Sequence, residues 1–341
     1  MINVAVNGYG VIGKRVADAA AAQPDMNVVG VADTATDYRV ALAHHHGHAL
    51  FGSTEAATVA MAAAGLEPAG ELRDLLAAAD VVVDTTPKGI GAANKAVYET
   101  AGVKAVFQGG ESHDLTGLSF VAQANYRDAI GEQFARVVSC NTTATVRVLN
   151  AFKTASLLRR ARLTLMRRAT DPWESHLGGM INTLLPEPDV PSHRGPDAQT
   201  VLPDLDLVTV AAAGPFNLAH VHFALIHTPE PSTPERILDA LREAPRIALI
   251  RADQGVAAPN SVLEITRDLG RPRGDLWEVA LWEDTLTVQG DEVFFSYIVH
   301  NESIVVPENI DAIRALAGAE HDPAKSIALT DSALGVRSRL P

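Results

Sequence analysis

The chain alternates short apolar runs with longer stretches whose apolar residues recur at helical spacing. Val4-Ala5-Val6, Val28 to Ala32, Val81-Val82-Val83, Ala105-Val106-Phe107 and Val137-Val138 are near-continuous apolar runs, the signature of strands buried on both faces. Between them, Val11 to Ala22 carries Val11, Ile12, Val16 and Ala19 on one face, and Glu71 to Ala79 and Gly91 to Glu99 also read as helices. Strand alternating with helix predicts a doubly wound parallel sheet. After residue 140 the pattern changes. A helix over Thr145 to Leu157 leads into strand-like Leu163–Met166, Leu207–Ala211, His220–Phe223, Leu281-Trp282 and Val293–Val299. These predict a mainly antiparallel sheet. Pro186 to Pro196 reads as an ordered proline-rich loop and Ile310 to Ala317 as a closing helix.

The first strand is followed at once by Asn7-Gly8-Tyr9-Gly10-Val11-Ile12-Gly13, a G-x-G-x-x-G turn opening a helix. In that context Gly8 permits the tight turn, Gly10 lets a pyrophosphate approach the backbone, and Gly13 lets helix pack on strand. The second strand ends at Asp33, twenty residues after Gly13, where a carboxylate accepts a hydrogen bond from an adenosine ribose 2′-OH. It would repel a 2′-phosphate, so NAD is the expected cofactor, with NADP second; Arg39, a few residues on, could reach back to such a phosphate. Thr85–Gly89 and Gln108-Gly109-Gly110-Glu111 leave strand ends on the ligand side of such a sheet, and Gly110 suits close approach to a nicotinamide ribose. The expected fold is therefore α/β, a Rossmann-type doubly wound parallel sheet followed by an α+β catalytic domain on a mainly antiparallel sheet. The expected boundaries are 1–139 for the dinucleotide-binding domain and 140–303 for the catalytic domain, with 304–341 a helical segment returning to the first.

Composition narrows the class. With 47% hydrophobic and 20% charged residues over 341 positions, the chain reads as a soluble globular protein large enough for two domains. A net charge of −13 argues against nonspecific nucleic-acid binding. No apolar run approaches the roughly 18 residues of a membrane span, and the start carries no secretory pattern, so the expected location is the cytoplasm. His44-His45-His46-Gly47-His48 has neighbours unsuited to one ion and reads as a surface or cofactor-lining loop, and no metal is expected.

Cys140 is the only cysteine, which excludes an intrachain disulfide and a Cys-based zinc cluster. It follows an apolar run and precedes Asn141-Thr142-Thr143. If those residues open a helix, its first N–H groups face the sulfur and favour thiolate. Arg167-Arg168, at the end of an apolar run, form a candidate fork for phosphate or carboxylate. Ser192, His193, Arg194 and Gly195 gather anion-binding groups in the proline-rich loop. His220 and His222 alternate with apolar residues, so both face one side of a strand, and either supplies a group titrating near neutrality.

Taken together, Asn7–Asp18, Phe107–Glu111, Val137–Thr143, Arg167-Arg168 with Asp171-Pro172, Pro191–Pro196, Leu218–His222 and Val306–Asn309 resemble the archaeal-type (type II) glyceraldehyde-3-phosphate dehydrogenases over essentially the whole chain. The resemblance implies a phosphorylating enzyme. Cys140 would attack the aldehyde of glyceraldehyde 3-phosphate, His220 would act as base, and inorganic phosphate would cleave a thioester to 1,3-bisphosphoglycerate. It puts Ser139, Asn141, His193 and Arg194 on the substrate side, with Arg167 the candidate for the substrate phosphate. Val11, Ile12, Gly110, Arg168 and Asn301 fall on the cofactor side. A homotetramer is implied. Asp33 stands where relatives often carry lysine, Arg194 where many have a second histidine, and Asn301 where many have glutamine. Two other readings stand beside this one, another cysteine-dependent semialdehyde dehydrogenase and a noncatalytic dinucleotide sensor.

Overall fold

The structure, a computed structural model, describes residues 1–108, 110–177 and 180–340. Two compact units emerge, one of 1–139 with 305–335 and the other of 140–304 with 336–340. In the first unit, β1 (Ile2–Asn7) leads to α1 (Val11–Ala21), β2 (Met26–Asp33), α2 (Tyr38–His45) and β3 (Leu50–Gly52). Next come α3 (Glu55–Ala63), α4 (Leu72–Ala77), β4 (Val81–Asp84), α5 (Gly91–Ala101) and β5 (Lys104–Gln108). β6 (Ser119–Phe120), the short α6 (Ala122–Asn125) and β7 (Phe134–Val137) close this segment.

The seven strands pair in parallel in the order β3-β2-β1-β4-β5-β7-β6. Helices cover both faces, which is why the strands are apolar on both sides. Leu72, Leu75 and Leu76 of α4 and Tyr98 of α5 pack on Ala5, Ala32, Val82, Ala105 and Phe107. The order reverses between β1 and β4, and ligands bind at that switch point in doubly wound sheets.

The second unit begins with α7 (Cys140–Thr154), β8 (Arg160–Arg167), β9 (Leu185–Pro186), α8 (Arg194–Gln199), β10 (Leu207–Ala213) and β11 (His220–His227). It continues through α9 (Pro234–Glu243), β12 (Ile247–Ile250), α10 (Pro259–Asp268), β13 (Val279–Trp282), β14 (Thr287–Gln289) and β15 (Glu292–Val299). Its sheet is mixed and mainly antiparallel, ordered β12-β13-β15-β11-β8-β10-β9 with β14 also on β15. Along β11 burial alternates. His220, His222, Ala224 and Ile226 face inward, while Phe223 is exposed.

Two helices then return to the first unit, α11 (Val306–Ala317) and α12 (Pro323–Leu334). Arg314 on α11 is fully buried and bonds Asp25 (2.7 and 2.8 Å) and Gln23 (2.6 Å). The expected return of 304–341 to this unit reaches only Gly335. Residues 336–340 join the second unit, because Leu340 buries beside Ala248 and Ile250 while Leu249 N–H donates to Ser338 O at 3.1 Å. Among the described residues no helix is long and apolar enough to cross a membrane.

Candidate active site

The glycines after β1 divide as their chemistry requires. Gly8 has φ +97°, and a Cβ there would lie 2.9 Å from Thr85 backbone; at Gly13 it would lie 1.8 Å from Gly8 O. Both are fixed by close packing. Gly10 has no atom within 4 Å of an added Cβ, because it faces a cavity of about 570 Å³ lined by Gly8, Tyr9, Asp33, Arg39, Ser53, Thr85 and Asn94, among others. This open approach at Gly10, beside a helix N-terminus and at the switch point, fits a dinucleotide pyrophosphate.

Asp33 lines the same cavity and is already engaged. It accepts from the backbone N–H of Tyr9 at 2.6 Å, Thr34 at 2.7 Å and Ala35 at 2.8 Å. A carboxylate has about four acceptor positions, so one remains for a ribose hydroxyl. Arg39 is held by Asp37, through Nε at 3.0 Å and Nη2 at 2.5 Å. Val11 and Ile12 open α1 beside this cavity. Gly110 abuts the 85–89 loop, where a Cβ would lie 2.9 Å from Lys88 Cβ; Gly109 lies outside the described residues. The histidine run is not a loop throughout. His44 and His45 end α2, while His46 and His48 turn to Asp18 at 3.4 and 3.2 Å. Among the described residues no three His, Cys, Asp or Glu side chains are grouped to hold a metal ion.

In the second unit Cys140 is the first residue of α7, which begins five residues before the stretch read as helical. The polar run is helix because it has partners. Thr142, for example, donates to Asp197 at 2.7 Å. Cys140 Sγ lies 3.5 Å from His220 Nε2. Burial pushes the thiol above its ordinary pKa, against the pull of Arg168, the Asn141 N–H, Arg194 and Arg167. The Asn141 N–H at the helix start thus pulls toward thiolate, and burial outweighs it.

His220 enters β11 from Ala219, a buried alanine held at φ +58°. Its Nδ1 accepts the backbone N–H of Arg168 at 3.0 Å. An N–H can only donate, so the neutral ring carries its proton on Nε2, facing the sulfur. Burial, then His222 and the three arginines, hold His220 well below its ordinary pKa. In this arrangement the Nδ1 lone pair of His220 is taken by the Arg168 N–H, and Nε2 faces Cys140 as a donor.

His222 is wholly buried and lies between Asn141 Oδ1 (2.8 Å) and Tyr297 hydroxyl (3.1 Å). Because the amide oxygen only accepts, His222 Nε2–H donates to it and Nδ1 takes the Tyr297 proton. His222 and Tyr297 thus orient Asn141, a role that sequence spacing did not reveal.

The arginine fork is engaged. Arg167 and Arg194 bond the two oxygens of Glu187, Arg194 at 2.7 Å. Arg168 bonds Asp171 at 2.6 Å, and Asn301 reaches the same Asp171 oxygen at 2.7 Å. The proline-rich loop starts at the last residue of β9 and ends in α8. Within its anion-binding set Arg194 bonds Glu187, and His193 feels the same charges, its pKa lowered by burial and then by Arg194. Ser192 and Gly195 instead bond Thr209 of β10, through Ser192 Oγ at 2.8 Å and Gly195 N–H at 3.1 Å. Ser139 adjoins Cys140 at the unit boundary.

A cysteine within reach of a buried histidine, in a chain with a Gly-rich dinucleotide turn, fits a nicotinamide-dinucleotide oxidoreductase. Comparison with known proteins narrows this. Residues 139–269 match the glyceraldehyde 3-phosphate dehydrogenase C-terminal domain, and residues 2–142 the dihydrodipicolinate reductase N-terminus. The chain is 46% identical to glyceraldehyde-3-phosphate dehydrogenase 2 of Methanosarcina acetivorans, covering 98% of both chains. It is 46% identical to the glyceraldehyde-3-phosphate dehydrogenase of Metallosphaera sedula, again over 98% of both, and 45% identical to that of Methanopyrus kandleri, over 100% of this chain and 99% of the relative. The chain belongs to the archaeal-type glyceraldehyde-3-phosphate dehydrogenase family.

Proposed function

We propose that this protein is a phosphorylating glyceraldehyde-3-phosphate dehydrogenase working through a Cys140 thioester. The Cys140–His220 pair, with Arg167, Arg168 and Arg194 raising the local positive potential, carries this reading. Cys140 gives up its proton to solvent water and attacks the aldehyde carbon, the carbonyl electron pair passes to the oxygen, and His220 Nε2–H stabilises the negative charge as it forms there. Asn141, oriented by His222, offers its amide N–H₂ to the same oxygen. Ser139, His193, Arg194 and Arg167 take the substrate's hydroxyl and phosphoryl groups. Hydride acceptance is the chemistry the dinucleotide supplies when bound. Inorganic phosphate then attacks the acyl carbon and the Cys140 sulfur leaves, releasing 1,3-bisphosphoglycerate.

Gly8, Gly10, Val11, Ile12, Gly13 and Asp33 would hold the adenosine and pyrophosphate, and Gly110, Arg168 and Asn301 the nicotinamide side. NAD is the preferred cofactor, supported by Asp33 and by Asp37's hold on Arg39. The protein works in the cytoplasm as a homotetramer. An open row on the second sheet supports self-association. Val210, Thr164 and Phe223 lie in register on neighbouring strands, with Val210 and Phe223 exposed at 37% and 51%. The deciding experiment follows NADH formation at 340 nm with glyceraldehyde 3-phosphate. The reading requires turnover that depends on inorganic phosphate, and phosphate-independent turnover would overturn it.

A further inference from the structure

We propose that Glu187 sets the enzyme's affinity for phosphate, its own carboxylate occupying the guanidinium pair that would otherwise bind a phosphoryl group. Sheet pairing puts it there. Ala213 of β10 is in register with Arg167 of β8 on one side and with Leu185 of β9 on the other. Glu187 follows β9 directly, and its N–H donates to Ala211 O at 2.8 Å. Each carboxylate oxygen takes one arginine, Oε1 from Arg167 and Oε2 from Arg194. A phosphoryl group presents the same pair of acceptors to the same donors.

Arg194 makes the arrangement consequential. Its side chain is only 5% exposed, and a cation so buried needs an anion beside it. Glu187 supplies one between turnovers. Burial works to raise its pKa and the two arginines overcome that, so it remains ionised. An arriving phosphoryl group therefore competes with a resident carboxylate and meets one net positive charge where the two arginines alone would give two. Competition weakens binding and speeds release, which suits a site that takes up one phosphate and discharges a doubly phosphorylated product. The inference rests on the phosphorylating reading above for its biological meaning. Its physical content is phosphate affinity.

The test is calorimetric titration of the full chain with inorganic phosphate in chloride buffer. Glu187→Gln should tighten the dissociation constant by roughly three- to tenfold, since one nearby like charge is removed from a partly buried site. Phosphate should also raise its melting temperature more than that of wild type, because Arg194 is then short of an anion. Glu187→Asp, too short to reach both arginines, should lie between the two. Unchanged or weaker phosphate binding in folded Glu187→Gln would mean that the carboxylate merely supports the arginines. If Glu187→Gln does not fold, Glu187→Asp decides, and affinity no tighter than wild type overturns the proposal. Failure of the phosphorylating reading would show separately, as wild-type aldehyde oxidation indifferent to phosphate.

Discussion

The backbone N–H of Arg168 donates to His220 Nδ1 at 3.0 Å, and that bond decides what His220 can offer Cys140. With Nδ1 occupied, protonating the ring would set two N–H groups against each other. Burial opposes the imidazolium as well. The Arg168 bond and burial both favour a neutral imidazole at His220, and burial favours the thiol at Cys140.

A resting ion pair and a resting thiol differ in pH dependence. Because burial raises the Cys140 pKa, the thiolate fraction keeps growing as pH rises through and beyond 9. Iodoacetamide alkylation of this single cysteine should climb across that range. A plateau reached near neutral pH would establish an ion pair. His220→Asn should lower kcat by roughly 10²–10⁴-fold, as loss of a positioned proton donor does. The wild-type kcat/KM should rise over the same range as alkylation, because the thiolate attacks, while protonation of His220 should cost activity only below the ordinary histidine range, because its folded-state pKa is lowered.

His222 should report on stability more than on chemistry. Burial, then Arg194, lowers its pKa to about 3. The unfolded chain binds a proton near 6.5 and the folded chain does not. The contribution of His222 is therefore complete above 6.5 and is lost as pH falls from 6.5 toward 3. The melting-temperature advantage of wild type over His222→Gln should shrink across that window; a constant gap would mean that His222 is charged or accessible in the native state. Its kinetic effect should be milder than that of His220→Asn, since it acts through Asn141.

How much of this could be read in advance follows from where the information lies. The parallel sheet was legible because β1, β4 and β5 are buried on both faces and their apolar runs are unbroken. Cys140 and His220 were legible as residue types in context. The start of α7 was obscured by buried Asn141, Thr142 and Thr143, whose polarity resembles a loop until their partners are known. Helices α9 and α10 and strand β12 were missed. Glu187 carried no local signal at all, since twenty residues separate it from Arg167 and only β9–β10 pairing closes the gap. The Nδ1 bond on His220 comes from a backbone N–H, which no side-chain pattern can announce.

The three glycines after β1 should respond differently to a methyl group. At Gly13 the new Cβ would lie 1.8 Å from Gly8 O, backbone against backbone. Gly13→Ala should therefore destabilise the fold by about 1–3 kcal/mol or more. Gly10 is in extended backbone at φ −80° with nothing near an added Cβ. Gly10→Ala should keep its melting temperature while dinucleotide affinity falls, because the methyl enters the cavity. Equal loss of stability in both would remove Gly10 from the binding surface.

Cofactor choice tests the region where this chain departs most from its relatives. Asp33 cannot be replaced cleanly, since it satisfies three backbone N–H groups at the cavity rim. Asp37 can. It holds Arg39 through Nε and Nη2 and also caps α2 by accepting the Arg39 N–H at 3.0 Å. Asparagine keeps a capping oxygen but releases the ion pair, so Arg39 gains freedom to meet a 2′-phosphate. Wild type should favour NAD in kcat/KM by about one to two decades, since a 2′-phosphate meets like charge at Asp33. Asp37→Asn should move that ratio toward NADP by roughly three- to tenfold with NAD kinetics little altered. A wild-type preference for NADP would remove Asp33 from the ribose site. An unmoved ratio in Asp37→Asn would show that Arg39 does not reach a 2′-phosphate even when released.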